Sequence, residues 1–254
     1  MASERKERIR AMVEDKGEVR LKDLHEIFPD LSTMTLRRDL DALEKEGEVI
    51  RTHGGAVSVK KLMGKGEENP YETRAQENQE AKQKIAQKVL HLLEPGRSLY
   101  FDSGSTIMHL AEVLPNERFS VVTSGLNIAL EVQKRSQPMV MAVGGLVNRN
   151  TLSMSGPGAM NLLDAVNIDL AFMAASGFSV ERGFTVANLY ESQLKRKVVE
   201  QAQEVFVLVD SSKINKNLPF TYATLNDIDA LVCEKPLPPE IAEWVKKANV
   251  RIYD

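Results

Sequence analysis

Residues 32–47 read Ser-Thr-Met-Thr-Leu-Arg-Arg-Asp-Leu-Asp-Ala-Leu-Glu-Lys-Glu-Gly, and they decide the fold of the N-terminal part of the chain. Leu36, Leu40 and Leu43 recur at helical spacing and so mark one apolar face of a helix. Ser32 is a residue type that caps helix N-termini, and the final glycine is one that ends helices. The stretch therefore predicts a helix that buries its leucines and turns its polar side chains outward.

Four polar side chains occupy the first two turns of this helix, off the leucine face: Thr33, Thr35, Arg37 and Arg38. Helix-turn-helix proteins present this part of their recognition helix to the major groove of DNA. Arginine can bond guanine through two hydrogen bonds, and threonine can bond a phosphate or touch a thymine methyl. Together with Ser32, these residues are the predicted DNA contacts on the helix.

Short elements on both sides extend this pattern to a winged helix-turn-helix. A helix is predicted over residues 3–16, and a second short helix ends at Pro29. After the leucine-bearing helix, two strand-like runs flank Gly54-Gly55, which predicts a hairpin, the wing. Arg51 and His53 lie on this wing and would face the DNA backbone or the minor groove. The spacing alone is equally compatible with a solvated surface for the arginines of helix and wing.

The composition is that of an ordinary globular protein. The chain has 254 residues, of which 43% are hydrophobic and 27% charged, and this balance argues against disorder. Its formal net charge of −3 excludes a strongly basic, histone-like binder. Residues 1–57 hold 11 Lys and Arg against 13 Asp and Glu. Affinity for DNA must therefore come from a focused cationic face, with the acids turned away.

The composition also predicts three parts. Residues 1–58 form the winged helix-turn-helix DNA-binding domain, and residues 59–73 form a linker with two glycines, a proline and little apolar content. Residues 74–254 form a larger domain, which we expect to bind an effector and to hold an oligomer together.

Apolar runs with the length of buried strands recur through the larger domain, with helical patterns between several of them. The predicted strands are 98–101, 119–123, 138–143, 170–174, 205–209, 230–233 and 250–253. The predicted helices are 74–93, 106–114, 126–134, 191–203 and 239–248. This alternation predicts an α/β fold with a doubly wound, mostly parallel sheet covered by helices on both faces. Ligands of such sheets bind at the carboxyl ends of the strands.

Glycine and hydroxyl residues cluster where these strands end. The first cluster, residues 102–106, lies between a strand and a helix, where backbone N–H groups and hydroxyls can hold an anion such as phosphate. A lysine after a later strand can add a full positive charge. The candidate ligand-binding residues are Asp102, Ser103, Gly104, Ser105, Thr106, Thr123, Ser124, Gly144, Gly145, Ser176, Gly177 and Lys213. Any one cluster is also what a turn requires, so their recurrence after successive strands is what favours a site.

The helix and wing resemble the DNA-binding signature of the DeoR family of bacterial transcriptional repressors. The resemblance rests on residues 35–40, Thr-Leu-Arg-Arg-Asp-Leu, and on residues 51–56, Arg-Thr-His-Gly-Gly-Ala. The larger domain is similar to the effector-binding domain of the same family. The matching residues there are Arg74, Lys82, 102–106, 122–124, 144–145, Gly156, Gly183, Thr185, Glu191, Lys195 and 210–213.

This resemblance implies a larger domain similar to ribose-5-phosphate isomerase and the CoA transferases. It implies a repressor of a sugar-metabolism operon that a phosphorylated sugar or a related metabolite releases from its operator. An activator of the same architecture is an alternative. Glu191 and Lys195 join the expected effector-binding residues.

An enzyme is a further alternative, because Asp102, Glu191, Lys195 and Lys213 are acid–base residue types. A sugar-phosphate isomerase needs a carboxylate base and a cation that stabilises the enediolate. Glu191 and Lys195 are spaced i, i+4, which also fits a helical ion pair. We expect that pair or an effector contact, and no catalysis.

The expected partners are operator DNA, a phosphorylated sugar and further copies of the chain in a homodimer or homotetramer. An oligomer is expected because one small DNA-binding domain makes few phosphate contacts. No cofactor and no metal are expected, because the four histidines lie far apart in the sequence. No membrane contact is expected, because no run approaches the ~18 apolar residues of a membrane helix. A single cysteine, Cys233, and a charged N-terminus without an apolar core favour a cytoplasmic protein.

Overall fold

The structure is a computed structural model that describes residues 2–16, 18–46, 48–52, 54–58 and 68–254. The chain divides into two compact units, Met1–Glu67 and Glu68–Asp254, called here the N-terminal and C-terminal units. No helix within the described ranges is both long and apolar enough to cross a membrane.

The described residues of the N-terminal unit form a winged helix-turn-helix, as the sequence predicts. Its helices are α1 (Ala2–Lys16), α2 (Leu21–Ile27) and α3 (Thr33–Lys45), and its strands are β1 (Glu18–Arg20), β2 (Val49–Thr52) and β3 (Gly55–Ser58). Strand β3 lies between β1 and β2 and runs antiparallel to both. The β2–β3 hairpin is the wing. Leu21 begins α2, because the pairing of β1 with β3 ends at Arg20.

One aliphatic core holds these elements together. The leucines of α3 are fully buried against α1 and α2; the core includes Ile9, Val13, Leu24, Leu36, Leu40 and Leu43. Burying a side chain of this size stabilises the fold by about 1.5–3 kcal/mol. Gly55 lets the wing approach β1, because a Cβ at this position would lie 1.9 Å from the Val19 carbonyl oxygen.

The C-terminal unit is built on a seven-stranded parallel sheet. Its strands, in spatial order, are β15 (Arg251–Tyr253), β14 (Ala230–Val232), β12 (Glu204–Leu208), β9 (Leu170–Ala174), β4 (Ser98–Phe101), β5 (Ser120–Thr123) and β6 (Met139–Ala142). From β4 the chain adds strands towards β6, then returns to β9 on the other side of β4 and proceeds to β15. The strand order therefore reverses between β4 and β9. The predicted doubly wound, mostly parallel sheet is confirmed.

Helices cover both faces of this sheet. They are α4 (Tyr71–Gln76), α5 (Gln79–Val89), α6 (Ser105–Glu112), α7 (Leu126–Val132), α8 (Pro157–Leu163), α9 (Leu189–Gln201) and α10 (Pro239–Lys247). Alternate strand residues enter two separate cores, because successive side chains of a strand point to opposite faces. Phe101 and Phe172 pack with α5, α6 and α7, whereas Tyr100 and Met173 pack with α8, α9 and α10.

The predicted single helix over residues 74–93 is wrong. The segment forms α4 and α5, separated by Glu77 in an extended conformation and Asn78 in the left-handed one (φ 52°), and a 3-10 turn follows over Leu90–Leu92. The break is stabilised by Lys82, a buried residue whose ammonium donates to the carbonyl oxygens of Arg74 and Glu77.

Two small antiparallel sheets were not predicted. One pairs β7 (Leu146–Asn148) with β8 (Ser153–Ser155). The other has the order β10 (Gly177–Ser179), β11 (Gly183–Val186) and β13 (Phe220–Ala223). Their strands have only three or four residues, which is too short for a clear period of two in the sequence.

Candidate functional site

The exposed face of α3 is the first candidate site. Ser32 caps the helix, since its hydroxyl accepts a hydrogen bond from the Thr35 N–H group at 3.2 Å. The leucines of α3 are buried, whereas Thr33, Arg37 and Arg38 are exposed and Thr35 is half-buried on the outer side of the helix. The predicted separation of polar and apolar faces is thus present in the structure. Whether these side chains contact DNA stays a prediction.

Ion pairs to α1 bind the acids on the rear of α3. Arg5 donates to both carboxylate oxygens of Asp39, at 2.6 and 3.0 Å, and Lys6 donates to Glu46 at 2.6 Å. The Asp39 hydrogen bonds are the largest effect on Arg5 and raise the pKa of its guanidinium. These acids are therefore neutralised away from the exposed arginines. That arrangement shows how a net-acidic unit can still present a cationic face.

Arg51 links the wing to α3. Its guanidinium donates to the Arg37 carbonyl oxygen at 3.1 Å and lies 3.1 Å from the Asp41 carboxylate, and its backbone N–H donates to Glu44 at 2.8 Å. The side chain thus fixes the wing against the helix, and a contact of Arg51 with DNA stays a prediction. The other predicted wing residue, His53, lies outside the described residues.

The second candidate site is a cavity at the carboxyl ends of β4 and β9, where the strand order reverses. Open α/β sheets bind ligands at this kind of position. The residues that line the cavity are Glu68, Arg74, Ser103, Gly104, Ser105, Thr106, Thr151, Ala174, Ala175, Ser176, Glu191, Lys195 and Lys213. Eight of the predicted ligand-binding residues are among them: Ser103, Gly104, Ser105, Thr106, Ser176, Glu191, Lys195 and Lys213.

The N-terminus of α6 forms one wall of this cavity. Gly104 precedes the helix with φ 124°, a conformation that favours glycine, and no side chain caps the helix. The first N–H groups of a helix have no partner within it. Ser105 and Thr106 carry such groups and hydroxyls at the wall of the cavity. This end of α6 can therefore bind an anion, as the helix dipole favours.

A buried ion pair forms the floor. The Lys195 ammonium donates to the Asp102 carboxylate and to the Ala174 carbonyl oxygen, the latter at 3.1 Å. Burial lowers the pKa of Lys195, but the charges of Asp102 and Glu191 outweigh it, so that the net pKa is raised. Asp102 also accepts from the N–H groups of Ser103 and Ala174, at 2.9 and 2.8 Å. Asp102 thus joins the loops after β4 and β9 and lies beneath the cavity rather than in its lining.

Glu191 lines the cavity, and one of its carboxylate oxygens is buried and lacks a hydrogen-bond partner within the described residues. Its other carboxylate oxygen lies 3.4 Å from the Lys195 ammonium, so the predicted i, i+4 pair is present. Burial raises the pKa of the Glu191 carboxyl to about 7; Lys195 opposes the rise, and the charges of Glu68 and Asp102 add to it. A buried oxygen without a partner is costly, and a ligand hydroxyl would satisfy it.

The remaining predicted residues lie beside the cavity, and its described lining does not include them. The Ser124 hydroxyl accepts from the Ser103 N–H at 3.1 Å and so supports the 102–106 loop. Thr123 accepts from the Gly125 N–H at 3.0 Å. Gly145 and Gly177 allow close backbone approaches, since a Cβ at Gly145 would lie 2.4 Å from the Ser155 carbonyl oxygen and one at Gly177 2.5 Å from that of Lys216, whereas Gly144 turns the chain at φ 72°.

Sequence reasoning missed Glu68, Arg74 and Thr151 as lining residues. Arg74 was marked only through the family resemblance, and Glu68 lies in the predicted linker. Nothing in the local pattern of residues 68–74 indicates a site, because these side chains reach the cavity only through the helix break that Lys82 stabilises.

Comparison with known proteins matches both units. The family model described as the DeoR-like helix-turn-helix domain matches residues 5–62, and the DeoR C terminal sensor domain matches residues 77–235. The HTH-type transcriptional regulator GlpR of Haloferax volcanii is 31% identical over 255 residues, covering 100% of this chain and 98% of that protein. A putative aga operon transcriptional repressor of Escherichia coli O157:H7 is 28% identical over 251 residues, covering 98% and 93%. Among solved structures, ribose 5-phosphate isomerase A of Methanocaldococcus jannaschii is similar over 54% of this chain and 55% of that one, with 19% identity and a TM-score of 0.41.

Proposed function

Because the chain belongs to the DeoR family of helix-turn-helix transcriptional regulators, we propose that it represses a sugar-metabolism operon and leaves its operator when a phosphorylated sugar or a related metabolite binds. The observation that carries the proposal is the cavity at the strand-order reversal. It combines an uncapped helix N-terminus with lysine side chains and a buried carboxyl oxygen that lacks a partner in the described residues. One relative is named as a putative aga operon transcriptional repressor.

The proposed DNA contacts are made by the exposed face of α3. Arg37 and Arg38 would bond base edges or phosphates in the major groove, and Ser32, Thr33 and Thr35 would bond nearby phosphates. Arg51 and His53 would contact the backbone or the minor groove from the wing. The pairing of Asp39 with Arg5 supports this proposal, because it gives one acid of α3 a cation on α1.

The proposed effector contacts divide by chemistry. The phosphate would bind the N–H groups and hydroxyls of residues 103–106 and the ammonium of Lys213. Sugar hydroxyls would bond Glu191 and Ser176. Lys195 would keep its bonds to Asp102 and Ala174 and add positive potential from below.

The proposal is tested in two steps. A thermal-shift screen of pentose, hexose and triose phosphates identifies the effector, and a gel shift on the DNA upstream of the protein's own gene follows. Arg38→Ala should weaken operator binding by about 1–3 kcal/mol, which is roughly 5-fold to 150-fold, and keep the effector-induced rise in Tm. Lys213→Ala should keep operator binding and lose release by the effector. Release of Lys213→Ala at the wild-type effector concentration would refute the cavity assignment.

Catalysis is the second candidate, since a carboxyl with a pKa of about 7 suits a general base. We propose no enzymatic activity, because Lys195 contacts Glu191 and is committed to Asp102 and Ala174. Incubation of the protein with pentose and hexose phosphates should give no isomerisation. Turnover lost in Glu191→Gln would favour the enzyme instead.

An activator is distinguished by a reporter gene that loses, rather than gains, expression when the regulator gene is deleted.

A homo-oligomer located in the cytoplasm completes the proposal. Within the described part of the chain, β6 pairs with β5 alone, so its outer edge is open. Met139 on this strand and Leu130 on the adjacent helix α7 are 58% and 62% exposed. An open, uncharged strand edge with large apolar neighbours is suited to pairing with a second copy. Two DNA-binding units joined in this way would bind an operator with two half-sites more tightly than a single unit would.

A further inference from the structure

Glu68, the first residue of the C-terminal unit, places its carboxylate in the effector cavity. Its side chain is only 11% exposed. The carboxylate accepts a hydrogen bond from the Ser176 hydroxyl and lies 3.5 Å from the Arg74 guanidinium, which is equally buried. The Glu68 carboxylate thus binds one hydroxyl donor and one cation of the cavity in which the effector is proposed to bind.

The chain around Glu68 is held in place by its own bonds. The Arg74 guanidinium donates to the Asn69 carbonyl oxygen at 2.9 Å, and the Asn69 amide donates to Glu77 at 3.1 Å. The Tyr71 N–H donates to the Asn150 carbonyl oxygen at 2.7 Å. Together with the Lys82 bonds at the helix break, these contacts fix residues 69–77 beside the cavity and direct Glu68 into it.

A carboxylate in this position is electrostatically unfavourable for its neighbours. Glu191 lines the same cavity and Asp102 lies beneath it, and the charge of Glu68 is one of the effects that raise the pKa of Glu191. A phosphate in the same cavity would meet all three. Two anions that share one cavity repel each other, so binding of the phosphate favours departure of the Glu68 carboxylate.

We propose that Glu68 is an internal competitor for the effector: its carboxylate lies in the cavity on Ser176 and Arg74, and the negative charge of the effector's phosphate, bound at residues 103–106 and Lys213, displaces it from them. This inference rests on the proposed function of the cavity. The displaced residue is the first of the C-terminal unit. Effector binding therefore acts directly on the start of the C-terminal unit.

Inorganic phosphate, titrated against the Tm of the full chain, tests the competition. Glu68→Gln keeps the size of the side chain and removes its charge. If Glu68 occupies the cavity in about nine-tenths of the wild-type molecules, removing the competitor lowers the half-saturating phosphate concentration about tenfold. Glu68→Ala, which also removes the hydrogen-bond acceptor, serves as a second variant and should show the same shift.

Two controls define the outcomes. Glu72→Gln removes an exposed carboxylate four residues away and should leave the phosphate midpoint of the wild type unchanged. Lys213→Ala should raise it, which assigns the response to the cavity. Equal midpoints for wild type, Glu68→Gln and Glu68→Ala would overturn the competitor and leave the effector site standing. A Tm that does not respond to phosphate in the wild type or in either variant would overturn the effector site itself.

Discussion

Single residues in the cavity have properties that only their surroundings explain. Lys195 and Asp102 are 93 positions apart in the chain, yet both are almost fully buried and bonded to each other. Removing one partner of such a pair leaves an uncompensated buried charge, which costs about 3–5 kcal/mol. The pair is therefore part of the fold as well as of the cavity, and Glu191 is the better residue for a test of cavity chemistry.

Glu191→Gln should change how stability depends on pH. The pKa of Glu191 is about 7 in the folded protein, above the ordinary 4.5, so between these values the folded state retains a proton that the unfolded chain has lost. The free energy of unfolding of the wild type should therefore fall, relative to Glu191→Gln, as pH rises from about 4.5 to about 7. A pKa of about 7 in place of 4.5 corresponds to about 3 kcal/mol.

Urea unfolding of both proteins at several pH values measures this difference. Below pH 4.5 and above pH 7 the two curves should run parallel. Curves that stay parallel through the window between would show that Glu191 titrates normally in the folded protein.

At the scale of elements, the order of the first turn of α3 depends on its cap. The Ser32 hydroxyl accepts from the Thr35 N–H, one of the donors that a helix leaves without a partner at its start. The leucines bury one side of the helix whatever its cap, so the cap affects the order of the first turn more than the position of the helix. That first turn carries the proposed DNA contacts.

Ser32→Ala should destabilise the first turn of α3 by about 1 kcal/mol, the usual cost of losing a helix cap. Amide hydrogen exchange of residues 33–36 should accelerate about fivefold, and operator binding should weaken. Thr33→Ala is the matched control, since it removes a neighbouring hydroxyl that caps no N–H group in the described structure. Equal exchange rates in Ser32→Ala and Thr33→Ala would contradict a capping role for Ser32.

At the scale of the whole molecule, the open β6 edge of the main sheet is the surface that we propose for association. Met139→Glu and Leu130→Glu should each raise the dissociation constant of the oligomer at least about tenfold, because one substitution appears twice in a two-fold interface. Analytical ultracentrifugation measures the change. Trp244→Glu is the control, as Trp244 is 53% exposed on the separate helix α10. An oligomer weakened only by Trp244→Glu would place the interface on the opposite end of the sheet.

Much of the fold could be predicted from the sequence where local signals are strong. The spacing of Leu36, Leu40 and Leu43 and the capping type of Ser32 predict α3, and the apolar runs predict every strand of the main sheet. The small antiparallel strands and the break at Asn78 could not be predicted in this way. Short strands carry no clear period, and the break depends on the contacts of Lys82 with two carbonyl groups that precede it.

The sequence by itself determined which residues can form helices, strands and anion-binding turns, because these depend on near neighbours along the chain. It also marked Ser103–Thr106, Ser176, Glu191 and Lys213 by residue type. Only the tertiary structure decided that these groups share one cavity and that Glu68 lies in it. The order of the strands brings these groups into one cavity, since it places the loop after β4 beside the loop after β9. It also joins Asp102 to the Ala174 N–H, 72 positions further on. No property of a short stretch of sequence specifies which strands become neighbours.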